Sequence, residues 1–137
     1  SINSALEASI ASYYGALSQK GITPKISLPE KPVMRTLNKD ALSRIFGNII
    51  SNAIKYSDGD LRITLSVTGE TVFSNHASAL TETQVGKLFN RFYTVNTARH
   101  STGLGLSIAK ALTERMGGTV TANCKDNLLS IHVIFPD

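Results

Sequence analysis

The stretch from residue 38 to 56 most constrains what this chain can fold into, because one helix there carries both a buried face and a polar edge. At about 100° per residue, Leu42, Ile45, Phe46, Ile49, Ile50, Ala53 and Ile54 fall on one side, the spacing of a helix packed on a core. Asn48, Asn52 and Lys55 form a second stripe along one border of that face. Asn38 is a suitable N-cap, its side-chain oxygen accepting from an otherwise orphaned N–H, and Ser57-Asp58-Gly59 is a stop signal. Two amides and an ammonium beside a buried face are costly to leave half desolvated, and a metal–phosphate group would satisfy all three. An amide oxygen suits Mg²⁺, and a lysine one turn on suits phosphate charge. Taken alone, the same three residues also read as ordinary boundary positions.

The remaining periodicities place the other elements around this helix. Ile2, Leu6, Ile10, Tyr13 and Leu17 predict an amphipathic helix over residues 3–20, closed at Gly21. Ile26 with Leu28, and residues 33–37, read as two short strands separated by Pro29 and Pro32. Alternating Leu61, Ile63, Leu65 and Val67 turn through Thr68-Gly69-Glu70 into residues 71–75 as a hairpin. Thr81 caps a short helix reaching Leu88, and residues 94–102 form a polar loop without a period. A last helix over residues 103–116 places Leu104, Ile108, Ala109, Ala111, Leu112 and Met116 on one face and stops at Gly117-Gly118. Two strands, 119–124 and 129–135, end the chain. This order predicts a two-layer α/β sandwich, one mixed sheet with helices on one face.

Composition narrows the function classes. The chain has 137 residues, 42% hydrophobic and 18% charged, which suits a single globular domain over residues 1–137 with no apolar run of membrane-spanning length. Cys124 is the one cysteine, so no intrachain disulfide forms and the reading is cytoplasmic. The net charge of +4 is scattered and lacks interleaved aromatic residues, which argues against nucleic acid as a partner.

A second constellation opens the last helix: Ser101-Thr102-Gly103-Leu104-Gly105-Leu106. Helix N-termini present free N–H groups, and glycines remove the Cβ atoms that would hold phosphate off the backbone. A lone Gly-x-Gly also serves a tight loop-to-helix entry. The coincidence of this start with an Asn/Asn/Lys border in one small sandwich, a polar loop between them, points to a nucleotide phosphate site.

With these residues in view, the chain resembles the catalytic ATP-binding domain of sensor histidine kinases, in the superfamily that also holds the ATPase domains of DNA gyrase, Hsp90 and MutL. Asn48-Ile49-Ile50-Ser51-Asn52-Ala53-Ile54-Lys55-Tyr56-Ser57 resembles the N box, Leu88-Phe89-Asn90-Arg91-Phe92-Tyr93 the F box, and residues 102–110 the G2 box. The resemblance implies a Bergerat-type fold, a mainly antiparallel sheet of about five strands covered on one face by three helices. It also implies ATP and Mg²⁺ as cofactors, Asn52 and Asn48 as metal ligands, Lys55 as a phosphate contact and Tyr56 against the nucleotide. By the same resemblance Arg91 and Arg99 lie near the phosphates, Phe92 and Tyr93 anchor a lid over residues 94–102, backbone N–H groups of Gly103, Leu104 and Gly105 take phosphate oxygens, and Ser101, Thr102 and Leu106 belong to the nucleotide site. Ser130 falls where such domains carry a hydroxyl close to the adenine.

One box departs. Where the family has Asp-x-Gly-x-Gly, this chain reads Asn75-His76-Ala77-Ser78-Ala79. Asn75 keeps an acceptor oxygen without charge and could turn its amide to meet adenine or guanine; Ala77 and Ala79 replace glycines. His76, His100 and His132 lack the setting of a phosphoacceptor histidine, so the acceptor is expected on a separate dimerisation domain upstream, in a membrane-anchored sensor with a response regulator downstream. The expected activity is therefore ATP-dependent protein-histidine kinase. The alternatives are a degenerate nucleotide-binding module, suggested by the altered box, and an ATP hydrolase, disfavoured because Asn48 stands where a hydrolase needs a basic Glu.

Overall fold

A computed structural model describes residues 1–78, 80–90 and 105–136. The lid residues 94–102, together with Ala79, Arg91, Phe92, Tyr93, Thr102, Gly103 and Leu104, lie outside the described residues.

The chain runs α1 (Ile2–Ser12), α2 (Tyr14–Gln19), β1 (Lys25–Ser27), α3 (Lys39–Tyr56), β2 (Arg62–Leu65), β3 (Glu70–His76), α4 (Glu82–Val85), α5 (Gly105–Arg115), β4 (Thr119–Lys125) and β5 (Leu128–Ile134). The five strands form one sheet in the order β1-β2-β3-β5-β4. β1 and β2 are parallel and the other pairs antiparallel, so the sheet is mixed and mainly antiparallel, as expected. α3 packs between α1 and α5. Its buried residues, Leu42, Ile45, Phe46, Gly47, Ile49, Ile50 and Ala53, meet the inner sheet residues Ile63, Phe73, Leu129, Ile131 and Val133 in one core. Phe46 and Phe73 carry the helix–sheet contact, their ring centroids 5.9 Å apart.

Local signals explain the ends of these elements. Asn38 caps α3, its Oδ1 accepting from Ala41 N–H at 2.9 Å. Thr81 and Gln84 form a reciprocal capping box at α4, Thr81 N–H to Gln84 Oε1 at 2.9 Å and Gln84 N–H to Thr81 Oγ1 at 3.2 Å. α5 ends in a Schellman motif, Gly118 N–H to Thr113 O and Gly117 N–H to Glu114 O, with Gly117 at φ 83°. Gly118 is also a close approach: a Cβ there would lie 2.6 Å from Ile134 O.

Three expectations are corrected. The helix over residues 3–20 is two helices, broken at Tyr13 (φ −100°, ψ 5°), whose ring lies over Gly47 of α3 where a Cβ would come within 3.2 Å. Residues 33–37 form no strand. Side chains tie this segment instead: Val33 N–H donates to Asn3 Oδ1 at 2.9 Å, and Arg35 Nε donates to Phe135 O at 2.8 Å. The buried stripe of α5 is Leu106, Ala109 and Thr113, while Ala111 is exposed. Thr113 enters the core because its hydroxyl donates to Ala109 O at 2.7 Å and leaves no polar atom unpaired.

Candidate active site

Asn48, Asn52 and Lys55 occur on successive turns of α3, at the edge of its buried face. Asn48 faces the start of α5: a Cβ on Gly105 would lie 3.9 Å from Asn48 Cβ and Cγ. Gly105, where α5 begins, is therefore a neighbour of the polar border, brought there by α3–α5 packing. Lys55 Nζ sits 5.1 Å from the centre of the Tyr56 ring, a cation–π distance that holds the ammonium at the helix end.

Asn52 carries the informative atom. Its Oδ1 is buried and has no hydrogen-bond partner among the described residues. Ser9 Oγ on α1 and Thr71 Oγ1 on β3 share that condition, and both are hydroxyls rather than amide oxygens. An unpaired buried acceptor costs about 1–3 kcal/mol, and a cation is the partner an amide oxygen can take without a proton. Among the described residues no cluster of three His, Cys, Asp or Glu could hold a metal. The buried Asn52 amide oxygen fits a divalent cation whose shell is completed by anionic oxygens.

The altered box lies at the far end of α3. Asn75 is only 3% exposed and stands on the inner face of β3, opposite Leu129. Its Nδ2 donates to His76 O at 3.2 Å. The turn after α3 grips this segment. Asp60 accepts from His76 N–H at 2.8 Å and lies 2.7 Å from His76 Nδ1 through its other oxygen. Asp58 accepts from Ser78 N–H at 3.0 Å and Ser78 Oγ at 3.1 Å. Burial pushes the Asp60 carboxyl up, but the hydrogen bonds and charge of His76 outweigh it and hold the group below its ordinary value. Sequence reading missed these contacts, since Asp58 read only as part of a helix stop, Asp60 was not singled out, and their partners lie 16 to 20 residues on.

The remaining site residues divide. Leu106 is buried in α5 and Ala77 is buried after β3, its N–H donating to Asn127 O at 2.7 Å. Lys110 Nζ lies 5.9 Å from the Phe89 ring, joining α5 to the segment after α4. Ser130 is not brought to the site. It pairs with Ser74, Oγ to Oγ 3.2 Å, on the sheet face opposite Asn75 and Leu129, because strand side chains alternate. Arg91, Phe92, Tyr93, Arg99, Ser101, Thr102, Gly103, Leu104 and Ala79 lie outside the described residues.

A polar helix border, an amide oxygen without a partner among the described residues and a glycine at the start of α5 lie together on an α/β sandwich with a mixed sheet. Residues 37–136 match the model of the histidine kinase-, DNA gyrase B-, and HSP90-like ATPase family, and the chain belongs to that family. It is 34% identical over 134 residues to the sensor histidine kinase YcbM of Bacillus subtilis, covering 90% of this chain and 43% of that protein. It is 33% identical over 128 residues to the sensor protein VanSC of Enterococcus gallinarum, covering 88% of this chain and 35% of that protein. The chain thus spans less than half the length of these relatives. The catalytic domain of the histidine kinase ThkA superposes with a TM-score of 0.84 at 18% identity, over 98% of this chain and 92% of that one. A mycobacterial sensor histidine kinase, MprB, gives 0.81 at 21%, over 98% and 93%. Both share the fold, and the chain is a histidine-kinase-type ATP-binding catalytic domain.

Proposed function

We propose that this domain binds ATP with Mg²⁺ and transfers the γ-phosphoryl group to a histidine on a separate dimerisation domain, in two-component signalling. The observation that carries the reading is Asn52 Oδ1, unpartnered among the described residues, on the helix border that Asn48 shares with the start of α5. Asn52 and Asn48 would hold the metal, Lys55 would meet phosphate charge, and the backbone at Gly105 would face phosphate oxygens. The bound metal supplies charge neutralisation at the phosphates.

The reaction asks little more of the chain. Neutral imidazole has a free lone pair and needs no strong base, so positioning and electrostatics suffice. Asn48 cannot accept a proton from water, which separates this site from a hydrolytic one. Asn75 would offer its oxygen to the base. This domain is proposed to be the cytoplasm-facing part of a membrane-anchored sensor acting on a response regulator, in keeping with the sensor histidine kinases it resembles. No helix among the described residues is long and apolar enough to cross a membrane.

Calorimetric titration of ATP with and without Mg²⁺, into the native chain and Asn52→Ala, tests the site. Metal-dependent binding that the substitution removes is the expected result. Binding indifferent to Mg²⁺ in both proteins would contradict the assignment.

A further inference from the structure

Asn48 borders a second space, on the α1 side of α3. An open cavity of about 250 Å³ is lined there by Ser9, Ser12 and Tyr13 and, from α3, by Ser43, Arg44 and Asn48. A Cβ at Gly47 would stand 3.2 Å from the Tyr13 ring and 3.3 Å from its hydroxyl, tighter than ordinary contact, so the glycine admits the phenol beside the cavity. Two groups here lack partners. Ser9 is 4% exposed, and its Oγ is buried with no hydrogen bond among the described residues. Arg44, exposed and one turn before Asn48, is the one charged group among the described residues that line the cavity. It makes no hydrogen bond or ion pair with any described residue, Asp40 one turn earlier included. A guanidinium fork ringed by hydroxyl donors is a seat for an oxyanion. The volume falls below the roughly 300–1,000 Å³ of pockets for whole small molecules, and suits one side-chain carboxylate.

We propose that Arg44 is a partner-positioning residue: the cavity it shares with Ser9 seats a carboxylate of the histidine-bearing domain, which registers the acceptor imidazole against the γ-phosphate. The inference rests on the phosphotransfer reading above. With the phosphates at Asn52, Asn48 and Gly105, and the base toward residue 75 beyond the other end of α3, the γ-phosphate is the part of the nucleotide nearest the turn that carries Arg44. The nucleophile enters roughly in line with the leaving oxygen, hence from beyond the γ-phosphate and over that turn. A charge pair placed there draws the two domains together and fixes their register, and the rate depends on that register because transfer needs the reacting atoms aligned. Arg44 thus acts on the incoming domain, not on the nucleotide.

The test is phosphotransfer from Mg-ATP to a separately prepared histidine-bearing domain of a matched relative, by the native chain, Arg44→Gln, Arg44→Lys and Ser9→Ala. Arg44→Gln is expected to raise the KM for the supplied domain on the order of tenfold, while calorimetry finds its Kd for Mg-ATP unchanged. Arg44→Lys, which keeps the charge and loses the fork, should recover part of the loss. Ser9→Ala should raise the same KM by less and serves if the Arg44 variants do not fold. Changing each Asp and Glu of the supplied domain to its amide in turn should find one carboxylate whose effect disappears in the Arg44→Gln background. An unchanged KM for the domain in Arg44→Gln overturns the inference, as does additivity of Arg44→Gln with every carboxylate. Mg-ATP affinity that falls in step with transfer also overturns it, because Arg44 would then meet the nucleotide's own phosphate. Native chain that binds Mg-ATP but labels no supplied domain removes the proposed phosphotransfer, and this inference with it.

Discussion

At the scale of single residues, Asn52 sets up an unusual stability prediction. Its Oδ1 is buried and unpartnered among the described residues, so removing it relieves a desolvation cost, and alanine is the best helix former. Asn52→Ala is therefore expected to melt no lower than the native chain while losing Mg²⁺-dependent nucleotide binding. A lower Tm together with retained metal dependence would show the amide to be structural. Gly105 permits a similar separation. The nearest atoms to an added Cβ are 3.9 Å away on Asn48, ordinary contact, so Gly105→Ala should leave thermal stability unharmed. It should weaken ATP binding if the backbone there meets phosphate. Unchanged affinity in Gly105→Ala would mean that this glycine serves only the helix start. Both residues were legible because their spacing is local: an i, i+4 pair of amides and a Gly-x-Gly need no knowledge of the fold.

At the scale of elements, α3 is the part the sequence specified best, with cap, apolar stripe and stop all as read. The misreadings share a cause, which is that tertiary contacts overrode local pattern. Tyr13 breaks the first helix over a glycine of another helix, and residues 33–37 are pinned by Asn3 and Arg35 rather than by a ladder. Thr113 lies in the core because its hydroxyl bonds back to Ala109. At the end of α5, Gly118→Ala would drive a Cβ to within 2.6 Å of Ile134 O and 2.7 Å of the Phe135 ring. A loss of about 1–3 kcal/mol in denaturant unfolding is expected, as for other overpacked sites. The turn after α3 predicts an acid dependence. The folded-state pKa of Asp60 is lowered, so its contribution is present above the ordinary carboxylate range and is lost as pH falls through the lowered value. Asp60→Asn should melt below the native chain near neutral pH and converge with it in acid. Both partners are about half exposed, so the difference should stay within about 1 kcal/mol. A gap that persists unchanged in acid would assign the effect to something other than the carboxylate.

At the scale of the whole molecule, the candidate site is assembled from parts far apart in sequence. α3 supplies the amides, α5 begins beside Asn48, and the end of β3 is tied to the turn that follows α3. Sequence reading could name the first two because each is a compact motif. It could not see that Asp58 and Asp60 reach residues 76–78, nor that strand alternation turns Ser130 to the opposite sheet face, since both follow from register. These parts are proposed to form one phosphotransfer centre acting on a histidine elsewhere. The most direct measurement supplies the domain with γ-labelled ATP, Mg²⁺ and a separately prepared histidine-bearing dimerisation domain from a matched relative. Acid-labile, base-stable label on the supplied domain, absent with Asn52→Ala, is the predicted result. Release of inorganic phosphate with no label transferred, or transfer that persists in a folded Asn52→Ala protein, would contradict the account.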